Sequence, residues 1–212
     1  MDAIVTVTES ETVGPDTVAI AFETPDGFAA QPGQFVKLSA TIDGEEYARF
    51  YTLSSPNVTD SFEITVGIDP EEGGPFSERL ASLSAGDEIE MSGPFGSDYY
   101  EGETRVIVLA GGPGIGPAVG IGERVVDDGG ELAIVYKDSH PAHEERLADL
   151  KATGASVTIT DGSIADPVDA ALTGRDDEQV FVYGFADFVD EATAAIEAAG
   201  SDPDSTKVEN FG

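Results

Sequence analysis

The chain has 212 residues and a net charge of −32 at pH 7, from 10 lysines and arginines against 42 aspartates and glutamates. Such an acidic chain excludes direct binding to a nucleic-acid backbone, because it has too few cations to displace the counterions of the phosphates. It has no cysteine. This excludes disulfides, thiolate nucleophiles and any zinc or iron–sulfur centre with cysteine ligands from this sequence.

Short β-strands are predicted throughout the first hundred residues. Val18, Ile20 and Phe22 recur at a period of two, which is typical of a strand, and Asp43-Gly44 is typical of a hairpin turn. The predicted strands are 4–13, 17–22, 35–38, 47–53, 62–68 and 89–91, and one helix is predicted over 75–83. Such a series of short strands predicts an antiparallel barrel or a sandwich.

In the second half of the chain, strands and helices alternate. Residues 106–110 form a continuous apolar run, as in a parallel strand that is buried on both faces. Further strands are predicted at 132–136, 157–160, 180–183 and 207–211, with helices at 115–126, 143–151, 168–172 and 188–199. This alternation predicts an α/β domain with a mostly parallel sheet. A polar stretch at 98–104 separates the two patterns, so we predict domains at 1–100 and 104–212.

The distribution of charge predicts a folded protein with an acidic surface. The carboxylates are spread from Asp2 to Glu209, and 40% of the chain is hydrophobic, unlike a disordered acidic tail. Molar salt shortens the Debye length to about 3 Å and would screen the repulsion between these charges. We therefore interpret the chain as a halophilic-type protein; the alternative is a mesophilic acidic protein with a basic partner.

Neither a membrane span nor a secretion signal is predicted. No apolar run approaches the roughly 20 residues that a span needs. The chain begins Met1-Asp2-Ala3, without the basic start and long apolar stretch of a signal peptide. We therefore expect a cytoplasmic protein. We also expect it to be a monomer.

A glycine-rich turn, 111–117, follows the first strand of the α/β half and precedes its first helix. Backbone N–H groups at a helix start bind anions, and glycines let a pyrophosphate come close. The spacing departs from the dinucleotide fingerprint G-x-G-x-x-G, because Pro117 stands at its last position. A tight turn that serves only close packing is the alternative interpretation.

Two segments of the β half are further candidates for anion binding. On a strand, Arg49 and Tyr51 share a face, so the arginine could grip a phosphate while a flat ring stacks on the tyrosine. A salt bridge and a core aromatic are the alternatives. Gly74 to Ser77 opens the predicted helix, where Ser77 is either part of an anion site or a plain helix cap.

Together these segments resemble the ferredoxin–NADP⁺ reductase family, and the resemblance covers essentially the whole chain. The segments that carry it are Pro32-Gly33-Gln34-Phe35, Arg49-x-Tyr51-Thr52, Gly74-x-x-Ser77, Gly112-Pro113-Gly114-Ile115-Gly116-Pro117, Tyr183-Gly184 and Glu209-x-Phe211. The resemblance implies an N-terminal antiparallel Greek-key β-barrel that binds flavin, followed by a Rossmann-like parallel α/β domain that binds a nicotinamide nucleotide.

For the flavin, taken as FAD, the resemblance implies a set of contacts from the barrel. Arg49, Gly74 and Ser77 would hold the pyrophosphate, Tyr51 would stack on the isoalloxazine, and Thr52 would hydrogen-bond near flavin N5. Leu53, Pro75 and Phe76 belong to the same binding segments, and the strand 64–68, with Val66, Gly67 and Ile68, would line the ribityl chain. Phe211 would cover the other face of the flavin.

For the nicotinamide nucleotide, the resemblance implies contacts from the α/β half. Gly112, Gly114, Ile115 and Gly116 would meet the pyrophosphate, Tyr183 and Gly184 would border the nicotinamide, and Glu209 would lie beside it. Thr52, Glu209 and Phe211 are the expected catalytic residues, and no metal is expected. Asp161 has no lysine or arginine near it in sequence and would repel a 2′-phosphate, so NADH is favoured over NADPH. Pro113 and Tyr183 depart from the threonine and cysteine usual in this family.

The implied function is an FAD-dependent NAD(P)H oxidoreductase. It would pass a hydride from nicotinamide C4 to flavin N5, and then electrons to an acceptor such as a ferredoxin or a quinone. One alternative is the electron-transfer subunit of a larger enzyme of the dihydroorotate dehydrogenase type. Another is a nucleotide-binding module with degenerate activity, which the departures at Pro113 and Tyr183 favour.

Overall fold

The computed structural model describes residues 1–68 and 74–212. Its first half contains a six-stranded antiparallel sheet. The strands are β1 (Asp2–Gly14), β2 (Thr17–Glu23), β3 (Phe35–Ile42), β4 (Glu45–Thr52), β5 (Ser61–Gly67) and β6 (Glu88–Phe95). Helix α1 (Gly74–Ala81) lies between β5 and β6 in sequence and buries Phe76 and Leu80.

The antiparallel sheet closes into a barrel. Its strand order is β4-β3-β6-β1-β2-β5, so β6 lies between β3 and β1, as in a Greek key. A bridge between Leu53 and Ile64 joins the two outer strands. Side chains such as Ile20, Phe22 and Phe62 fill the interior and are almost fully buried. This arrangement confirms the predicted Greek-key barrel over the alternative sandwich.

The second half contains a five-stranded sheet in which every neighbouring pair is parallel. The strands are β7 (Arg105–Gly111), β8 (Glu131–Lys137), β9 (Ser156–Thr160), β10 (Glu178–Gly184) and β11 (Lys207–Asn210), in the order β11-β10-β7-β8-β9. The helices are α2 (Ile115–Asp127), α3 (Glu144–Ala152), α4 (Ala165–Ala171) and α5 (Ala186–Ala198). The strand order reverses between β7 and β10: β8 and β9 lie on one side of β7, and β10 and β11 lie on the other. Open α/β sheets bind ligands at such a reversal. This topology confirms the predicted α/β fold.

Apolar clusters cover both faces of the parallel sheet. One contains side chains of α2 and α3, and the other contains side chains of α4 and α5. All of β7 after Arg105 is buried, as its continuous apolar run predicted. None of the helices in the described residues is long and apolar enough to cross a membrane.

Helix α2 lies directly against the barrel, because glycines form its contact face. A Cβ on Gly120 would lie 2.8 Å from the backbone carbon and oxygen of Ser54, and one on Gly116 would lie 2.6 Å from Cβ of Thr65. These positions are four residues apart and therefore share one side of the helix. The absence of side chains there lets the two sheets approach each other and fixes the distance between them.

A polar network on α3 also joins the two sheets. The guanidinium of Arg146 donates to both carboxylate oxygens of Glu123 on α2, at 2.6 and 2.7 Å, and to Glu63 on β5 at 2.9 Å. It also donates to the carbonyl of Ser54 at 2.7 Å. Beside it, buried His143 lies 2.8 Å from the hydroxyl of Thr65. Burial, with a contribution from the Arg146 charge, lowers the pKa of His143 to about 4, so the imidazole is neutral at neutral pH.

Candidate functional site

A cleft of about 340 Å³ lies between the barrel and the parallel sheet. Its walls come from β4, β5 and α1 on one side and from the glycine-rich turn and the ends of β10 and β11 on the other. The lining residues are Arg49, Phe50, Tyr51, Thr52, Thr65, Gly67, Ser77, Pro113, Pro117, Phe185 and Phe211. The structure thus brings together six residues that were predicted from four separate segments of the sequence: Arg49, Tyr51, Thr52, Gly67, Ser77 and Phe211.

At one end of this cleft, Arg49 and Ser77 provide hydrogen-bond donors. The Arg49 guanidinium donates to the carbonyl of Ala48 at 2.9 Å, and it has no carboxylate partner among the described residues. Six of the ten lysines and arginines are in ion pairs within that part of the chain. An arginine at the cleft that pairs with no carboxylate of the described residues suits an anionic ligand group.

The middle of the cleft combines an aromatic ring with an unpartnered hydroxyl. Tyr51 is largely buried, and burial raises the pKa of its phenol well above the usual value. Next to it, Thr52 is 6% exposed, and its Oγ1 makes no hydrogen bond of ordinary length and angle to the described residues, although the Glu209 carboxyl lies near it. A buried hydroxyl without a partner costs free energy unless a ligand supplies one. The pair therefore fits a flat heteroaromatic ring that stacks on Tyr51 and presents a polar edge atom to Thr52.

Glu209 lies beside Thr52 at the end of the chain. Burial raises the pKa of Glu209 to about 7; the Thr52 hydroxyl opposes part of this rise, and the charge of Asp98 adds to it. A carboxyl group with this pKa exchanges a proton near neutral pH. Glu209 is therefore suited to hold a proton next to the cleft, although it does not line the cleft itself.

Two aromatic rings stand on the α/β side of the cleft. Phe211 and Phe185 are packed edge to face, with ring centroids 6.0 Å apart and an angle of 88°. Phe185 is 53% exposed, which is unusual for a phenylalanine. It directly follows Gly184 at the end of β10, so the strand end presents its ring to the cleft. An aromatic pair facing Tyr51 leaves a slot that suits planar groups.

A second cleft, also of about 340 Å³, adjoins the first. The two share Gly67, Pro113 and Phe185 as lining residues. The second is further lined by Asp16, Thr17, Ile68, Gly112, Asp138 and His140. It opens at the carboxyl ends of β7 and β8, beside the point where the strand order reverses. This is the usual place for a nucleotide in an open α/β sheet.

The glycines of the turn have different surroundings. Gly112 has a positive φ of 53°, and a Cβ there would meet nothing within 4 Å. A Cβ on Gly114 would lie 2.2 Å from the carbonyl oxygen of Tyr183, and Gly116 packs on Thr65 as described above. Ile115 is fully buried in the core. Of these predicted nucleotide contacts, only Gly112 lines a cleft, because the others are used for close packing.

Several other predicted site residues lie outside the first cleft. Leu53, Val66 and Phe76 are buried in the barrel core, since their side chains point inward. Gly74 and Pro75 are exposed at the start of α1, and Ile68 lines the second cleft instead. Asp161 is exposed and lines neither cleft.

Tyr183 and Gly184 also lie outside both clefts. The Tyr183 ring is buried and stacked on Phe181, with ring centroids 6.4 Å apart. Its hydroxyl is fully buried, has no hydrogen-bond partner within 1–68 and 74–212, and reaches the barrel, where a Cβ on Gly33 would lie 2.9 Å from it. Tyr183 therefore fills the space between the two sheets rather than a nicotinamide pocket, and Gly184 makes room for the ring of Phe188.

Several lining residues were missed in the sequence, among them Phe185 and Asp138. Phe185 was overlooked although an aromatic residue directly after a strand-ending glycine is a recognisable signal. Asp138 follows the second parallel strand, 26 positions after Gly112, close to the spacing of the ribose-binding acid in dinucleotide-binding folds. Thr65 belongs to the strand 64–68 that was predicted to line the ribityl chain, and it lines the first cleft.

Comparison with known proteins gives a family match over the barrel. Residues 4–100 match a family model described as the oxidoreductase FAD-binding domain. The chain is 32% identical over 135 residues to the probable electron transfer subunit of dihydroorotate dehydrogenase B (NAD(+)) from Methanopyrus kandleri, covering 63% of this chain and 48% of that protein. It is 36% identical over 135 residues to the glycine betaine monooxygenase reductase subunit of Pseudomonas aeruginosa, covering 61% of this chain and 36% of that protein. The chain thus spans less than half the length of these two relatives.

The fold of both halves is shared with solved structures. The FAD/NAD-binding domain of nitric oxide dioxygenase from Vibrio cholerae superposes with a TM-score of 0.83 at 20% identity. The superposition covers 99% of this chain and 98% of that domain. At this identity the likeness is one of fold, and it includes both the barrel and the parallel sheet.

Proposed function

We propose that this chain, whose residues 4–100 match the family model described as the oxidoreductase FAD-binding domain, is an FAD-dependent NAD(P)H oxidoreductase of the ferredoxin reductase-like family that passes electrons to an acceptor. The observation that carries this proposal is the first cleft. It joins Arg49, Tyr51 and the unpartnered hydroxyl of Thr52 from the barrel to Phe211 from the end of the chain. These four side chains match the separate parts of a flavin nucleotide.

Each part of the cleft has a role in holding FAD. Arg49 and Ser77 donate to the pyrophosphate, and Tyr51 and Phe211 enclose the ring system. Thr52 donates or accepts at the polar edge of the ring, and Glu209 behind it holds a proton near neutral pH. When bound, the flavin supplies the redox chemistry, accepting a hydride and releasing electrons singly. The protein contributes alignment and the exclusion of water.

The second cleft supports a site for the nicotinamide nucleotide. Gly112 offers an open backbone at the start of the turn, and Asp138 offers a carboxylate at the end of β8. The side chain of Asp138 is held in place by the Tyr136 hydroxyl at 3.0 Å and the His140 backbone N–H at 2.8 Å. A fixed carboxylate at this point accepts a ribose hydroxyl and repels a 2′-phosphate, so we propose NADH as the preferred donor.

For the electron acceptor, we propose a class of molecule. Both relatives described above are named as subunits that transfer electrons to, or act as reductases for, a larger enzyme. This favours a protein acceptor, such as a ferredoxin or a partner subunit, over a free quinone. A partner with an acidic surface would be repelled by the net charge of −32 unless salt screens it, which is consistent with our interpretation of the chain as halophilic-type.

The proposed function predicts a visible flavin. Protein purified in molar salt should absorb in the blue, as flavins do, and anaerobic NADH should bleach that absorbance. A colourless preparation that takes up no added FAD would refute the oxidoreductase proposal. A yellow preparation that neither NADH nor NADPH bleaches would favour the degenerate module instead.

Replacing Arg49 should weaken flavin binding. We expect Arg49→Ala to bind FAD about 10- to 100-fold less tightly, the range for loss of a charge-assisted hydrogen bond in a partly shielded site. Fluorescence titration of the apoprotein with FAD measures the change. Lys151→Ala is the matched control, because Lys151 is exposed on α3, away from both clefts, and has no ion-pair partner among the described residues. Unchanged affinity in Arg49→Ala would contradict the pyrophosphate assignment.

A further inference from the structure

Lys137 is the only lysine or arginine at the carboxyl ends of the five parallel strands, all of which lie within the described residues. It is the last residue of β8. In the strand register it is paired with Gly111 of β7 on one side and with Thr160 of β9 on the other. This edge of the sheet carries the second cleft, so Lys137 is the one cation at the strand ends, all described, that border the proposed nucleotide site, although it lines neither cleft itself.

Glu191 on α5 holds this lysine. Nζ of Lys137 donates to Oε2 of Glu191 at 2.6 Å, and the two side chains are 31% and 33% exposed. The other carboxylate oxygen of Glu191 accepts the backbone N–H of Ile164 at 3.4 Å. The carboxylate is thus anchored at the start of α4, and it both neutralises the ammonium and fixes its direction.

The next residues along the chain line the nucleotide cleft. Asp138 and His140 line the same cavity as Gly112. Lys137 directly precedes Asp138 and is paired in register with Gly111, the residue before Gly112, while its side chain points to Glu191 on α5. A lysine carries its charge on a flexible four-carbon stem. Once released from Glu191, the ammonium can turn toward the ribose of a nucleotide held between Gly112 and Asp138.

We propose that the Lys137–Glu191 ion pair determines the choice between NADH and NADPH. In the paired state, the single cation at this edge is unavailable to a 2′-phosphate, and Asp138 repels that group. Removing the charge of Glu191 frees Lys137 to bind the 2′-phosphate. The proposal rests on the proposed function, since it takes the second cleft as the nucleotide site, and it makes Lys137 and Glu191 specificity residues without a part in hydride transfer.

Nucleotide fragments test this proposal without turnover. Calorimetric titration with 5′-ADP and with 2′,5′-ADP compares affinities with and without the 2′-phosphate. We expect the wild type to prefer 5′-ADP and Glu191→Gln to improve 2′,5′-ADP binding about tenfold relative to 5′-ADP, the size of one charge-assisted hydrogen bond. Glutamine keeps an oxygen for the N–H of Ile164 and should leave the melting temperature close to that of the wild type.

Two further variants separate the specific effect from a general change in charge. Asp190→Asn removes one charge from an exposed neighbour on the same helix that has no ion-pair partner among the described residues, so the ratio of affinities should stay within twofold of the wild type. Glu191→Gln combined with Lys137→Met should lose the gain, because the released cation is then missing. The gain should also shrink as salt is raised.

The outcomes distinguish the two proposals. If every variant binds 5′-ADP and Glu191→Gln leaves the ratio unchanged, the specificity inference is wrong while the nucleotide site stands. The inference also fails if the gain persists in the double variant. If the wild type binds neither fragment, the second cleft is not a nucleotide site, and the proposed function fails together with the inference.

Discussion

Gly114→Ala should destabilise the protein by about 3 kcal/mol, the upper part of the usual range for overpacking. A Cβ at this position would lie 2.2 Å from the carbonyl oxygen of Tyr183 and 2.7 Å from its carbonyl carbon. Both are backbone atoms of β10, so a side-chain rotation cannot relieve the overlap. Gly114 has ordinary helical angles, with φ −59° and ψ −12°, so alanine adds no backbone strain and any loss comes from the overlap.

Thermal unfolding in molar salt measures this loss, and we expect a melting temperature lower by roughly 10 °C. The displaced turn also carries Pro113, which lines both clefts, so FAD and nucleotide binding should weaken together. Gly162→Ala is the matched control, because its Cβ would meet only the Thr160 hydroxyl at 3.7 Å. A Gly114→Ala variant as stable as Gly162→Ala would show that the turn does not approach β10 this closely.

This turn shows what the sequence could and could not predict. Glycines between a strand and a helix indicate that the chain passes close to something, and both a phosphate and a neighbouring backbone satisfy that pattern. Gly114 meets Tyr183, about seventy positions later in the chain, and no local pattern reveals such a neighbour. The sequence therefore located the turn correctly, while the three-dimensional packing assigns only Gly112 to an open cleft.

The strands and helices were predictable because their patterns are local. The period of two in β2 and the continuous apolar run of β7 depend on which face of a strand is buried, and both patterns agree with the observed burial. The boundaries were less accurate: β1 and β6 extend beyond their predicted apolar cores, to Asp2–Gly14 and Glu88–Phe95. Polar residues at strand ends continue the ladder hydrogen bonds without an apolar signal.

Site residues were predictable where a motif points its side chain into the cleft. Thr52 is such a case. Strand alternation places it on the face opposite to Tyr51, but both residues lie at the end of β4, and both line the cleft. The residues that line the second cleft were less predictable. Asp161 follows the third parallel strand but lies outside both clefts, whereas Asp138, at the end of the second strand, lines one. Choosing between them required the strand order, which places β8 next to β7.

Arg146→Met should also destabilise the protein, by roughly 3 kcal/mol, the order expected when one member of a largely buried ion-pair network is removed. The variant keeps an apolar stem but leaves Glu123 and the carbonyl of Ser54 without the Arg146 donor. It leaves Glu63 with the Ser54 hydroxyl but without its compensating charge. The two carboxylates would then repel each other at a junction where burial limits screening. Because these partners lie on α2, on β5 and in the segment after β4, the two sheets should also hold together less firmly.

Urea unfolding in molar salt measures the effect, and flavin release measures the opening of the junction. Arg175→Met is the matched control: Arg175 also pairs with two carboxylates, Glu131 and Asp177, but it is 41% exposed and joins elements of the α/β half only. Exposed pairs contribute little and are screened by salt, so this control should unfold at nearly the wild-type urea concentration. Arg146→Lys should lie between the two, because lysine keeps the charge but cannot donate in the planar fork that reaches both oxygens of Glu123. Equal stability of Arg146→Met and Arg175→Met would mean that this network does not hold the two sheets together.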